Sequence, residues 1–428
     1  MLLRNGHLVD PSQAIDGVTD IRIEDELILE VGPDLPLIEG EDVLELNGLY
    51  VVPGLIDTHV HFRDPGNEDS EDMESGAKAA IHGGFTTVVA MPNTRPVIDS
   101  VPLATYIMER SRAVGLADVL PTAAITKGEL GEEITEMGLL HQAGVIAFTE
   151  DGKSVASAGV MRKAMDYGKQ FDVLFMDHCE DLSLRGRGVM NEGALATEMG
   201  LFGAPAAAED LIIMRDIMLA RLTGARLHIQ HLSTATGLEM VRQAKAEGLP
   251  VSCEVTPHHL FLTEEAVRGY NTAAKVAPPL RTKADNNALI AGLKDGTVDC
   301  VGTDHAPHAA AFKDCEFDKA APGISSIEVA FPLIWTHLVE SGRFSLAEVV
   351  NFMSTRPAQL LRLERGSLAP GRCADILIFD PDTEKIVSTD DFYSKGKNCP
   401  YVGEKLAGWP RFVFRAGRLV LNEGVVQV

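Results

Sequence analysis

Two histidines two positions apart, His59 and His61, stand in the run Asp57-Thr58-His59-Val60-His61-Phe62-Arg63-Asp64-Pro65-Gly66, directly after an apolar stretch from Leu49 to Ile56. On a strand, alternate side chains share one face. The two imidazoles can therefore take adjacent positions on one metal ion, and Arg63, next on that face, can receive an anion. A lone His-x-His pair can equally be a satisfied core pair, so the reading depends on what else the chain supplies.

The elements that must position these residues are legible as short apolar strands alternating with amphipathic helices. Strands are expected at 54–57, 86–91, 119–124, 145–148, 173–176, 227–230, 251–255 and 299–302. Helices are expected at 75–82, 103–114, 134–143, 161–169, 209–223, 236–247 and 284–293. About eight such units predict an α/β fold, a parallel (β/α)8 barrel of the TIM type. The two ends read differently, as short strand-like pieces with too few strands to bury a core alone. Both are expected to join in one small β-sandwich, which divides the chain into 1–52 and 366–428 for the sandwich and 53–365 for the barrel.

In a (β/α)8 barrel the active site is built at the carboxyl ends of the strands, so chemistry should follow each apolar run. The first strand leads to His59 and His61, the second to Asn93, the fourth to Asp151, the fifth to His178, the sixth to His231, and the last to Asp304 within Gly302-Thr303-Asp304-His305-Ala306-Pro307-His308. Four histidines and two aspartates at one mouth form a ligand set for one or two borderline divalent ions, zinc foremost. The other histidines read as packing or support. His228 has the opposite strand parity to His231, His82 and His141 lie in helical stretches, and His258, His259 and His305 follow strands without clear aim.

Composition narrows the partners. A formal net charge of -24, from 62 acidic and 38 basic residues in 428, repels nucleic acid and anionic lipid. An anionic substrate must then be attracted locally, by a metal and a few arginines. No run approaches ~18 uninterrupted apolar residues, which argues against a membrane span. The opening Met1 to Gly6 lacks the order of a signal peptide, and a cytoplasmic location is expected. Six cysteines without Cys-x-x-Cys spacing read as reduced thiols, Cys179 among them as a structural one.

The segment from Asp57 to Gly66, the segment from Gly302 to His308 with Lys313 five residues later, and the tail Ser394-Lys395-Gly396-Lys397-Asn398 with Gly408-Trp409-Pro410 resemble dihydroorotase, the amidohydrolase-superfamily enzyme of pyrimidine synthesis, in its longer bacterial type. The resemblance covers nearly the whole chain. It implies that His59 and His61 hold one zinc ion and His178 and His231 a second, that Asp151 bridges them, and that Asp304 ligates the first and shuttles the proton. It further implies that Arg63, Asn93 and His308 bind the substrate carboxylate and neighbouring polar groups, with the backbone at Pro322 and Gly323 closing over the ring. The implied reaction is the reversible closure of N-carbamoyl-L-aspartate to L-dihydroorotate. An amide carbon is a poor electrophile, so the chemistry needs a metal to polarise its oxygen and to supply hydroxide near neutral pH. The implied partners are the small-molecule substrate, aspartate transcarbamoylase and further copies of the chain.

Two departures stand out. Ala277 precedes Pro278-Pro279-Leu280-Arg281 where the family often has Asn, so a side-chain contact to the ring is replaced by backbone or lost, and Glu150 stands where relatives often have Asp. Two rivals remain. A hydantoinase or dihydropyrimidinase would bridge its metals with a carboxylated lysine at the end of the fourth strand, where this chain has Asp151, with Lys153 out of step. A non-catalytic scaffold of aspartate transcarbamoylase would tend to lose metal ligands, and all six are present. The stretch from His308 to Gly323 is expected to act as a lid.

Overall fold

The structure, a computed structural model, describes residues 1–427. Eight parallel strands follow one another around a barrel: β1 (Leu55–Val60), β2 (Phe85–Ala90), β3 (Asp118–Ala124), β4 (Ala147–Thr149), β5 (Leu174–Asp177), β6 (Arg226–Ile229), β7 (Val251–Val255) and β8 (Cys300–Val301). Each pairs with its neighbour in sequence. The ring is closed just past the strand ends, where Val60 bridges His305 in parallel and the His61 amide donates to the His305 carbonyl at 2.9 Å. Strands covered on both faces carry near-continuous apolar runs, and β2, Phe85-Thr86-Thr87-Val88-Val89-Ala90, is buried along its whole length.

The surrounding helices start and stop where their end residues dictate. Helix Met73–His82 opens with a reciprocal capping box between Asp72 and Ser75, and helix Lys283–Asp295 with one between Thr282 and Asp285. Helix Ala207–Thr223 ends on Gly224 at φ 72°, a left-handed conformation that costs glycine little. No helix among the described residues is long and apolar enough to cross a membrane. All six cysteines are free thiols.

The two chain ends build one nine-stranded, mainly antiparallel sheet separate from the barrel. Strand Tyr50–Pro53 lies between Leu2–Asp10, which runs parallel to it, and Ile376–Phe379, which runs antiparallel. The sheet curls until the Ile28 amide donates to Arg372 O at 2.9 Å and the Gly371 amide to Ile28 O at 2.7 Å. This closes it around Leu8, Ile21, Val51, Ile376 and Phe414. After Phe379 the chain leaves the sheet and packs Phe392, Tyr401 and Trp409 against Val329 and Leu333 of helix Ile327–Ile334. That excursion carries Ser394 to Asn398 across the barrel mouth before strand Pro410–Arg415 returns to the sheet.

Candidate active site

The polar residues that follow the strands converge on one buried cluster. His59 Nε2 lies 3.2 Å from Asp151 Oδ1, and His61 Nε2 lies 3.1 Å from Asp151 Oδ2. On the far side of Asp151 Oδ1 stand His231 Nε2 at 3.4 Å and His178 Nδ1 at 3.7 Å, and these two nitrogens face each other at 2.8 Å. Asp304 Oδ1 is 3.2 Å from His61 Nε2 and 3.6 Å from His59 Nε2, so it belongs to the first pair and not the second. All six side chains are buried. Burial pushes the Asp304 carboxyl up, but the imidazoles of His61, His59 and His231 outweigh it and hold the group below the usual carboxylate range.

Asp151 is thus shared by two three-residue sets, His59 with His61 and His178 with His231, whose ligand atoms lie within 4.8 Å of one another. The fit to a divalent ion can be judged from the atoms themselves. His59 Nε2 and Asp151 Oδ1 are buried without any hydrogen-bond partner, a costly condition for two polar atoms pointing at the same space. Imidazole nitrogen and carboxylate oxygen are the donors that zinc and similar ions take.

Outer groups fix how these ligands point. Glu254, in the middle of apolar β7, accepts from His59 Nδ1 at 2.8 Å, lies 3.2 Å from His228 Nε2, and also accepts from the Thr58 hydroxyl. With its Nδ1 proton so engaged, His59 presents Nε2 to the cluster. Asn93 does the same for His61, accepting from Nδ1 at 3.0 Å and donating to Asp151 O at 3.0 Å. Glu180 stands 3.5 Å from His178 Nε2, held by Arg185 Nη1 at 2.8 Å. Asp57 ties the first strand to the last by accepting from Thr303 N at 2.9 Å and from its hydroxyl, and burial raises its carboxyl to about 7. Glu254, Glu180 and Arg185 were not singled out in the sequence. An acid inside the apolar pattern of a mostly buried strand was the available signal for Glu254, whereas Arg185 carries none.

Beside the cluster opens a cavity of about 240 Å³ lined by Arg63, Asn93, Arg185, His308, Pro322 and Gly323 together with His61, Asp151, His178, His231 and Asp304. Arg63 donates Nε to Pro307 O at 3.2 Å and has Nη2 3.4 Å from His308 Nε2. Burial lowers its guanidinium only to about 10, so it stays charged. Burial, with Arg63 adjacent, lowers His308 to about 3, so its ring is neutral near pH 7. Ala277 also lines the cavity, and its methyl can make no hydrogen bond there. Lys153 lies outside, half-exposed, its Nζ 3.8 Å from Glu129. Three of the histidines set aside in the sequence are engaged elsewhere, His82 with Glu328 at 2.6 Å, His259 with Pro278 O at 3.0 Å and His305 with Glu71 at 3.3 Å. His258 is buried with neither ring nitrogen bonded.

Three residues at this mouth hold left-handed backbone without being glycine: Arg63 at φ 58°, His231 at φ 31° and Asp304 at φ 44°. Such conformations cost of order 1–3 kcal/mol each and persist where the surroundings over-determine them. Here they turn three side chains inward at the points where strands end.

Known proteins resemble this chain over its whole length. The family described as Dihydro-orotase-like matches residues 48–237, and the Amidohydrolase family matches residues 214–421. A dihydroorotase of Acetivibrio thermocellus is 45% identical over 100% of both chains, and one of Geobacter sp. strain M21 is 46% identical over 99% of this chain and 100% of its own. Among solved structures, an L-hydantoinase (dihydropyrimidinase) of Arthrobacter aurescens superposes with a TM-score of 0.89 at 27% identity, covering 100% of this chain and 97% of its own. A D-hydantoinase of Thermus sp. gives 0.85 at 28%, covering 100% and 96%. With identity at that level over the full length of both chains, the chain belongs to the dihydroorotase family of the amidohydrolases.

Proposed function

We propose that this metal-dependent cyclic amide hydrolase interconverts N-carbamoyl-L-aspartate and L-dihydroorotate in pyrimidine synthesis. The observation that carries the reading is Arg63 beside a neutral His308, a pair suited to a carboxylate, facing the shared cluster around Asp151 across one small cavity. The family membership supports it.

His59, His61, Asp151 and Asp304 would hold one zinc ion, and Asp151, His178 and His231 a second. An ion held there supplies Lewis-acid polarisation of the amide oxygen and hydroxide near neutral pH. The substrate carboxylate pairs with Arg63, with His308 and the backbone at Pro322 and Gly323 flanking the ring. Asn93 keeps His61 oriented and lines the same cavity. Asp304, ionised and at the edge of the cavity, takes the proton of the attacking water as the new C–O bond forms and returns it to the ring nitrogen as the C–N bond breaks. Ring closure runs the same steps in reverse.

Replacing Arg63 with methionine is expected to raise the KM for dihydroorotate by ten- to a hundredfold, because a charge-assisted and potentially bidentate contact is lost. Wild type and variant should both use uncharged dihydrouracil poorly. An absorbance assay on the two substrates, run with metal analysis of the same preparation, checks this. Equal use of both by the wild type would favour the hydantoinase reading, against which Asp151 at the end of β4 and the outlying Lys153 already speak.

We place the protein in the cytoplasm, divide it as 1–52 and 366–428 around a barrel of 53–365, and name aspartate transcarbamoylase as a partner whose product is this cavity's substrate. Self-association is supported by helix Ala207–Thr223, which exposes Leu211, Met214, Met218 and Leu222 on the face opposite buried Ile212, Ile213 and Ile217. A helix apolar on both faces is normally covered on both. The three-four-four spacing is self-complementary about a twofold axis, which fits a second copy of this helix. Changing Met214 and Met218 together to glutamate should give a monomer by light scattering, and an unchanged mass would refute that interface.

A further inference from the structure

The tail segment Ser394-Lys395-Gly396-Lys397-Asn398 has no part in the chemistry above, yet it reaches the mouth of the barrel. Asn398 there is only 6% exposed. Its Oδ1 accepts from the His308 amide at 2.9 Å and the Ser325 hydroxyl at 3.0 Å. Its Nδ2 donates to Ala306 O at 3.1 Å and Gly323 O at 2.9 Å. Both donors and both acceptor positions of the amide are therefore used, and the Asn398 carbonyl takes a further bond from Ser325 N at 3.0 Å.

The four side-chain partners lie on two separate stretches, 306–308 after the last barrel strand and 323–325 beyond the loop. These are the stretches that carry His308 and Gly323 to the cavity wall. The two stretches also bond each other directly, Ala306 N donating to Ile324 O at 2.9 Å and His308 Nε2 to Pro322 O at 2.8 Å, and the four bonds of Asn398 brace that pairing. Gly323 sits at φ 146°, and a Cβ there would come within 2.5 Å of Ala306 O and 2.9 Å of His308 Nε2. The tail is pressed against the same turn, since a Cβ on Gly396 would meet Pro307 Cβ at 2.4 Å and His308 N at 2.7 Å. Upstream it is anchored by Glu71, which accepts from the Ser394 hydroxyl and, at 3.2 Å, from the Lys395 amide.

We propose that Asn398 is a positioning residue for substrate binding, holding His308 and the Pro322–Gly323 backbone at the spacing that receives the substrate carboxylate and ring. The inference rests on the reading of that wall as the substrate site. Asn398 touches no metal ligand, so its effect falls on substrate affinity and spares the metal cluster. Aspartate in its place keeps the two acceptor bonds and sets an oxygen against two carbonyls, while alanine removes all four.

The test compares Asn398→Asp, Asn398→Ala and Ser325→Ala with wild type for KM and kcat on dihydroorotate, bound metal and melting temperature. Asn398→Asp is expected to raise KM by roughly tenfold or more with kcat within about threefold and metal content unchanged. Ser325→Ala, which removes one of the bonds, should raise KM by about two- to threefold. An unchanged KM in Asn398→Asp, or a fall of kcat together with metal content at constant KM, would overturn the proposal. If both Asn398 variants fail to fold, Ser325→Ala decides alone, and an unchanged KM there overturns it. Arg63→Met separates the two levels. A raised KM in Arg63→Met with none in Asn398→Asp removes only the role of Asn398, whereas no rise in either removes the substrate wall as well.

Discussion

Replacing His59 or His61 with alanine is expected to abolish measurable turnover and to strip metal from the protein. Each change deletes an imidazole nitrogen 3.1–3.2 Å from the shared Asp151 carboxylate, and no neighbouring donor can move into its place. Loss of an outer group that merely orients a ligand typically costs ~10- to 100-fold in metal affinity, so loss of the ligand itself should exceed that. The two variants should differ in stability. His59→Ala leaves the buried Glu254 carboxylate without the partner at 2.8 Å, a cost of about 1–3 kcal/mol, while His61→Ala leaves only Asn93 unpaired on that side. Metal content by plasma emission, activity and thermal unfolding on one preparation check all three statements. Full metal and full activity in either variant would remove the assignment of the cluster.

Asp304→Asn is expected to preserve fold and most bound metal but to lose ~10²- to 10⁴-fold in kcat, the usual range for a general acid–base group. The amide has nearly the shape of the carboxylate and cannot accept the proton. The wild-type carboxyl is held ionised by the imidazoles around it, so it is ready to accept across the neutral range. Single-turnover rates with metal analysis distinguish a chemical defect from a binding one. A loss of only two- or three-fold would mean that another group carries the proton.

The barrel could be read from the sequence because parallel strands buried on both faces are plain apolar runs, and because the polar residues appear immediately after them. Boundaries were less legible. A helix was expected at 134–143, but the structure begins it at Met137, since Ile134 pairs in a bridge with Thr126 and the Thr135 hydroxyl donates to Ala124 O at 2.8 Å. Long-range hydrogen bonding took those residues from the helix, and local periodicity cannot report it. The same limit hid the partners of Asn398, which lie far upstream in the chain, and Arg185, which lines the cavity and holds Glu180. Nor does any residue type announce the left-handed backbone of Arg63, His231 and Asp304, where glycine would have been the usual marker. The spacing of His59 and His61 was enough to put both imidazoles on one face, toward Asp151. It could not say that Glu254 would choose which nitrogen faces inward.

The pairing of Val52 with Leu377 has a consequence for how the molecule comes to exist. During synthesis the N-terminal strands emerge first, and Tyr50–Pro53 has Leu2–Asp10 on one side and nothing on the other until Ile376–Phe379 leaves the ribosome. An apolar strand edge left open for that long invites pairing with other chains. The intervening barrel shortens the gap, because once it has formed it brings the two strands side by side and replaces a costly loop closure with a local docking step. A chain cut short before Phe379 would therefore leave that edge of Tyr50–Pro53 open, whatever the state of its barrel.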